Sequence, residues 1–589
     1  MIDFVGKSGL KTMPYASRPS HSRWLESSLM PRRPRPIRAW HWPEPAPAPT
    51  GQAAALNAQL DQQLVSQLGA VPLLVPILED LQLRDIINRQ CLPQGAGTAD
   101  LDPGRVTELL VLNRLLAPQP LVHVEEWAAQ TVVPDLLDLE AAQCNDDRLA
   151  RTLDQLVPHL DQLWQDLIVQ AVPAFDLDLA QLAYDITSVS FCGAYEEAAD
   201  ITFGYSRDHR PDRQQLELAT TVTTDGGVPI DYRILAGNVA DRTTPVANLQ
   251  RLQKLLALLP ARDPGAPRPL VVSDRAMLTE EAMAAYRRSQ VDFLGPLDPS
   301  IGQGVVRRLL ASVSTDDLRA APLAYRPQRA QDAPDWEPYE GVACELVLPE
   351  TDDQPAARPL QAMVVWSPGK ARLDAQLRAT QLQRLEQALA DLVSKLGRRP
   401  YTTRTSVEKR VASLLRRHPA RAFLEVQVQG GTPEAPLTVV WTHCEAALAE
   451  AARLDGRYVL GTSAQGLDAE QMLARSKRRD VPEKRYALLK GPLDIRPVYL
   501  HKAERIQALV FCVMVSLLVF AVLELLAHRS LTRLSGTTLI EQFATLSVLV
   551  LTFRDHSRLQ QLVGLAPPLA TILDALGFPP AERYLSGHG

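Results

Sequence analysis

Paired metal-binding cysteines, a leader-type apolar run and an excess of basic charge are all missing from this chain. Its six cysteines are scattered, at Cys91, Cys144, Cys192, Cys344, Cys444 and Cys512, and no two form a CxxC pair. That spacing speaks against structural zinc and a disulfide framework, and it suits a reducing cytosol. His443 and Cys444 are adjacent, which is not ligand spacing. The formal net charge of −6 argues against a uniformly basic nucleic-acid binder, although local basic patches could still meet phosphate. No apolar stretch follows the first basic residues, so a signal peptide is not expected. One uncharged run, Ala508 to Leu523, imitates a membrane span. It is shorter than the ~20 residues a span needs, and Glu524 interrupts it. Arg505 and His528-Arg529 bound it on both sides, so charge gives it no orientation. A buried core helix, with no membrane, is the expected reading.

With 589 residues, 46% hydrophobic and 22% charged, the chain has the composition of a globular protein of several domains. Residues 1–52 are rich in Pro, Arg, Ser and Ala and are expected to form a disordered tail. Its arginines could touch DNA backbone, or the tail could be without function. Residues 53–178 show helical spacing, first at Leu60, Leu64 and Leu68, then in Val71 to Leu81, Arg105 to Ala117 and Leu121 to Thr131. Asn145 and the two acids after it cap a further helix running to Val157. Short helices with turn breaks allow a helix-turn-helix reader of DNA, and a plain bundle is the alternative.

From Leu179 the texture becomes β. Leu179 to Ile186 reads as a strand, and Leu216 to Gly237 as two strands around Asp225-Gly226-Gly227, a strong hairpin signal. Helix, strand, helix and strand follow up to residue 294. This order suits an α/β fold with a ribonuclease H-like core, a mixed sheet flanked by helices. Residues 295–453 read as a β-rich insertion carrying a long helix, Leu373 to Leu396. The basic run Arg398 to His418 is a phosphate-facing candidate or simply a solvated helix face. Residues 454–530 return to the core, and 531–589 are expected to form a helical C-terminal region.

Three isolated acids outline a phosphodiester site: Asp185 and Asp274 at strand ends, and Glu483 on a charged helix. Two divalent cations about 4 Å apart can serve the attacking and leaving oxygens of such a reaction. Hard Mg²⁺, or Mn²⁺, takes carboxylate oxygens and keeps several waters, so three acids suffice for two ions per site. Arg207-Asp208-His209-Arg210 reads either as substrate contact beside the first strand or as a surface loop. His209 is not needed as a base.

The segments YDITSVSF (Tyr184 to Phe191), GYSRDHRPD (Gly204 to Asp212), TDGGVPI (Thr224 to Ile230), GNVAD (Gly237 to Asp241) and SDRAML (Ser273 to Leu278) resemble, in this order, those of DDE transposases of bacterial insertion sequences. DGRYVLGTS (Asp455 to Ser463) and the stretch from Glu483 to Leu509 are similar to the branch in which a β-rich insertion splits the ribonuclease H-like core. LGAVPLLVPILEDLQL (Leu68 to Leu83) and NDDRLARTLDQL (Asn145 to Leu156) are similar to that branch's helical N-terminal domain. The resemblance spans residues 56 to 580 or so. It implies metal-dependent cut-and-paste transposition, with Asp185, Asp274 and Glu483 as metal ligands. It further implies binding of inverted-repeat ends and target DNA, a homodimeric synapse and a nucleoid-associated cytoplasmic location, and leaves hairpin intermediates open. The branch's Tyr-x2-Arg-x3-Glu-x6-Lys signature falls on Ser476, Arg479, Glu483 and Lys490, with serine in place of tyrosine. Arg479 and Lys490 would then grip phosphates, and Arg207, His209 and Arg210 would add DNA contacts. Pro482 stands against a continuous helix through Arg479 and Glu483. It is tolerated at the start of a new helix, where Asp480 could cap. A catalytically impaired DNA-binding descendant, or a metal-dependent nuclease without strand transfer, is the alternative function.

Overall fold

A single mixed sheet carries both strand-borne acids, and it is wider than the strand pattern suggests. The computed structural model describes residues 60–92, 102–191, 195, 198–207, 210–260, 265–327, 336–349, 359–432, 435–493, 500, 502–531 and 534–585. The 1–52 tail, Asp208, His209 and most of the link after Leu493 lie outside the described residues.

The strands, in chain order, are β1 Leu60–Gln67, β2 Gln181–Ser190, β3 Gln215–Thr223, β4 Pro229–Ala236, β5 Leu270–Ser273, β6 Asp292–Pro296 and β7 Pro322–Leu323. They continue with β8 Tyr339–Leu346, β9 Leu360–Trp366, β10 Leu424–Gln429, β11 Thr438–His443, β12 Arg457–Thr462, β13 Ser547–Phe553 and β14 Arg558–Val563. Nine of them form one sheet in the order β4-β3-β2-β5-β6-β12-β9-β8-β7. β2, β3 and β4 run antiparallel as a meander, β2, β5 and β6 run parallel, and β12 returns antiparallel to β6. The hairpin between β3 and β4 turns at Asp225-Gly226-Gly227, where both glycines have positive φ (73° and 60°), as a tight hairpin turn requires.

From the 295–453 stretch, β7, β8 and β9 continue this sheet through antiparallel ladders onto β12. β10 and β11 instead form a separate hairpin. It packs with helices Pro368–Val393 and Arg404–Leu415 around Leu385, Leu389, Val407, Val411, Leu424 and Val439. Arg404, Lys409 and Arg410 of the basic run stay exposed there.

Helices fill the N-terminal stretch as the spacing predicts. Asp102 caps Pro103–Leu116, and Asn145 caps Asp146–Leu156 by accepting the Arg148 amide at 3.1 Å. Two segments depart from the helical expectation. Leu60–Gln67 is a strand in the sheet β1-β13-β14, and Ser547–Phe553 with Arg558–Val563 forms an antiparallel hairpin inside the expected helical C-terminal region. The spacing of Leu60 and Leu64 is overridden by a distant partner: Leu68 and Gly69 donate their amides to the Leu546 carbonyl at 3.0 and 2.8 Å.

The apolar run lies within helix Ala503–Ser530, which is long and apolar enough to cross a membrane by length and composition, yet 89% of its most apolar window is buried inside the protein. It packs against Val71–Asp80, Pro103–Leu116, Asp146–Leu156 and β4. The N-terminal helices and the sheet therefore share one continuous apolar core, running from Leu68 to Tyr584.

Candidate functional site

Register brings the first two acids together. On the parallel pair β2 and β5, Tyr184 stands opposite Ser273. Asp185 and Asp274 are each the next residue, at one level and on one face of the pleat; Asp274 follows the end of β5, whereas Asp185 lies in the middle of β2 and not at the strand end that the sequence suggested. β2 is buried on both faces apart from the partly covered Gln181 and Asp185, and its second half carries the buried hydroxyls of Thr187, Ser188 and Ser190. A helix, Val481–Leu489, lies across β2 and β3 and brings Glu483 close enough to act on Asp185. Val481 packs on Ala183 and Val222, and Tyr486 donates its hydroxyl to the Asp185 carbonyl at 2.7 Å.

Pro482 resolves as the start of a new helix. Ala469–Ser476 ends, a 3₁₀ turn covers Lys477–Asp480, and Pro482 occupies the first turn of Val481–Leu489. Asp480 precedes that helix but makes no capping hydrogen bond. Arg479 sits on the 3₁₀ turn rather than on the helix face of Glu483, and its guanidinium stands 3.2 Å from the Asp274 carboxylate. Lys490 follows the last helical turn. Ser476, at the signature's tyrosine position, is buried and bonds the Leu473 carbonyl.

Arg207 is the cationic centre of the cluster. It pairs with Asp241 at 2.6 Å and reaches Asp185 at 4.0 Å, while its amide donates to the Ser188 hydroxyl. Arg210 is turned onto Asp212 at 2.6 Å. His209 lies outside the described residues.

The electrostatics are those of crowded acids. Burial pushes the Asp185 carboxyl up to about 7; the Ile186 amide and Arg207 pull it down, and Asp274 and Glu483 push it further up. Burial likewise pushes Glu217 up to about 7, with Arg207 and Lys490 opposing and Asp241 and Asp185 adding. Glu217 is only 4% exposed, and its Oε2 has no hydrogen-bond partner among the described residues. Residue-by-residue reading missed Glu217, Asp241 and Tyr486. Asp241 ends the GNVAD segment and Tyr486 lies one turn past Glu483, so both could have been singled out. Glu217 falls within the alternating stretch LELATTV, whose pattern gave no sign that both faces of β3 are buried.

A hard divalent cation suits this donor set, because the acids are all oxygen ligands and a buried carboxylate flanked by two others has a charge imbalance that such an ion relieves. Placement is less favourable. Arg479 stands on Asp274, and among the described residues no group of three or more His, Cys, Asp or Glu is arranged to hold an ion.

Residues 63–169 match the family described as a domain of unknown function, DUF4277. No curated protein matches the chain. Among solved structures, the chain is similar to the piggyBac transposase synaptic complex with hairpin DNA, at 8% identity over 82% of each chain and a TM-score of 0.35. At that level the likeness decides neither fold nor chemistry.

Proposed function

We propose that the chain is a DNA transposase that cuts the ends of its own element and joins them to a target, with Asp185, Asp274 and Glu483 carrying the reaction. The observation that supports this most is the approach of the three acids, Asp185 in the middle of β2, Asp274 just past β5 and Glu483 on the helix above, each of the other two close enough to shift Asp185. The order β4-β3-β2-β5-β6, an antiparallel meander followed by parallel strands, agrees with a ribonuclease H-like core. The three acids would hold Mg²⁺ or Mn²⁺, two ions per site, and the ions would supply Lewis-acid stabilisation of the attacking and leaving oxygens. Arg207, Arg479 and Lys490 bring positive charge to the same cluster, where they would hold backbone phosphates. Tyr486 and Val481 fix the height of the Glu483 helix on β2. A homodimer acting on two ends is part of this proposal.

The test is incubation with the DNA ends flanking the gene, Mg²⁺ and a target plasmid. Strand-transfer products are expected from the wild type, and loss of at least about 100-fold from Asp185→Asn, as for removal of an essential group. An Asp185→Asn protein that cuts at the wild-type rate refutes the assignment. A second reading, a transposase-derived DNA binder without cleavage, is favoured by the contact of Arg479 with Asp274. A gel shift without nicking would select it, and nicking without joining would select a nuclease.

A further inference from the structure

Phe203 and Tyr205 are the only Phe, Tyr or Trp side chains among the described residues that are exposed, at 61% and 84%. Every other Phe, Tyr or Trp ring among the described residues is at least partly covered. Two adjacent exposed rings on an otherwise well-packed surface call for an explanation that a lone exposed ring does not.

Their backbone is firmly held. Thr202 and Gln215 exchange amide hydrogen bonds at 3.0 and 2.8 Å. The Gln215 side chain donates to the carbonyls of Tyr205 and Gly237. Gly204 lies directly on Gly237: a Cβ there would come 1.8 Å from the Gly237 carbonyl oxygen. That contact fixes which way the segment faces. In an extended chain, residues 203 and 205 point away from the side that Gly204 turns inward. The segment is then tied to β2, where the Arg207 amide meets the Ser188 hydroxyl, and the Ser206 hydroxyl accepts the Arg210 amide. Two exposed rings thus sit on a hydrogen-bonded segment, two to four residues before the arginine that reaches Asp185.

We infer that Phe203 and Tyr205 form a stacking platform for unpaired DNA bases beside the acid cluster. The occupant follows from chemistry. An aromatic face accepts any base by its π-surface, while Arg207 and Arg210, paired with Asp241 and Asp212, are the cations of the same segment that a phosphate backbone would engage in exchange for those carboxylates. A duplex keeps its bases stacked inside and offers such rings little, so the platform favours single strands. This inference rests on the proposed action on DNA and deepens it by naming the state of the DNA at the site.

The experiment is equilibrium binding of the full chain to a fluorescent oligo-dT of roughly ten nucleotides and to a duplex of equal length. Tyr205→Ala and Phe203→Ala are each expected to weaken oligo-dT binding by about 5- to 100-fold, while Tyr205→Trp retains it and duplex binding stays within about 2-fold. Both side chains are exposed, so the melting temperature should not move, which separates stacking from a folding defect. Equal oligo-dT binding by wild type and the double alanine variant, no oligo-dT binding by wild type, or a parallel loss of duplex binding overturns the platform. Binding of oligo-dT needs no cleavage. A chain that stacks but never nicks would refute the transposase reading alone, and one that nicks without the predicted loss would refute the platform alone.

Discussion

Glu217 shows how burial acts on one carboxyl. Its ordinary value is 4.5, and burial in β3 raises it to about 7. A raised carboxyl binds its proton more tightly in the folded chain than in the unfolded one. Its favourable contribution is therefore fully present below pH 4.5 and lost as pH rises through 7. Glu217→Gln should accordingly be more stable than wild type at pH 8, by about 1–2 kcal/mol, and close to equal at pH 5. Urea denaturation at the two values measures this, and an equal difference at both would show that the carboxyl is not the titrating group. Gly227 is a second single-residue test. It has positive φ, and a Cβ there would meet the Arg485 guanidinium at 2.7 Å, so Gly227→Ala combines backbone strain with a steric clash. A loss of about 1–3 kcal/mol is expected in thermal unfolding.

The Val481–Leu489 helix has a second anchor besides Tyr486. Arg485, with its side chain 7% exposed, donates to the carbonyls of Gly226 and Gly227 and pairs with Glu524 at 2.7 Å. It joins the Glu483 helix, the β3–β4 turn and the long apolar helix in one hydrogen-bonded knot. Arg485→Ala leaves the half-buried Glu524 with the Gly536 amide but without its cation and should cost about 1.5–3 kcal/mol, whereas Arg485→Met with Glu524→Leu should recover most of that. A double-mutant cycle in guanidinium reports the coupling, and additive losses would mean that the pair does not act as a unit. Elements of this kind explain what the sequence could and could not reveal. The strands before Asp185 and Asp274, the Gly226-Gly227 turn and the unbroken apolar helix through Ala508 to Leu523 were legible because each is written in a local pattern of residues. The strand at Leu60–Gln67 and the extension of the sheet through β7, β8 and β9 were not. Their hydrogen-bond partners lie far along the chain, and local spacing holds no record of them. The new helix at Pro482 was legible as a possibility, but the turning of Arg479 onto Asp274 depended on where the 3₁₀ turn carries it.

At the scale of the whole molecule, helix Ala503–Ser530 is the shared core of parts that are far apart in sequence. It touches the N-terminal helices and β4 alike. Residues 61–178 expressed alone therefore lack one wall of their core. They are expected to be protease-sensitive and to give no near-ultraviolet circular dichroism, whereas a fragment that resists proteolysis would show that the N-terminal helices fold without that wall. The hydrogen bond from Tyr486 to the Asp185 carbonyl bridges 301 residues. That span also has a meaning in time. At about 5–20 residues per second of synthesis, Asp185 leaves the ribosome about 15–60 seconds before the helix that completes its surroundings. During that interval β2 has its first acid but neither Glu483 nor the long helix. The surroundings of Asp185 are thus incomplete until the Val481–Leu489 helix has been made, and the delay is set by the distance along the chain between the two.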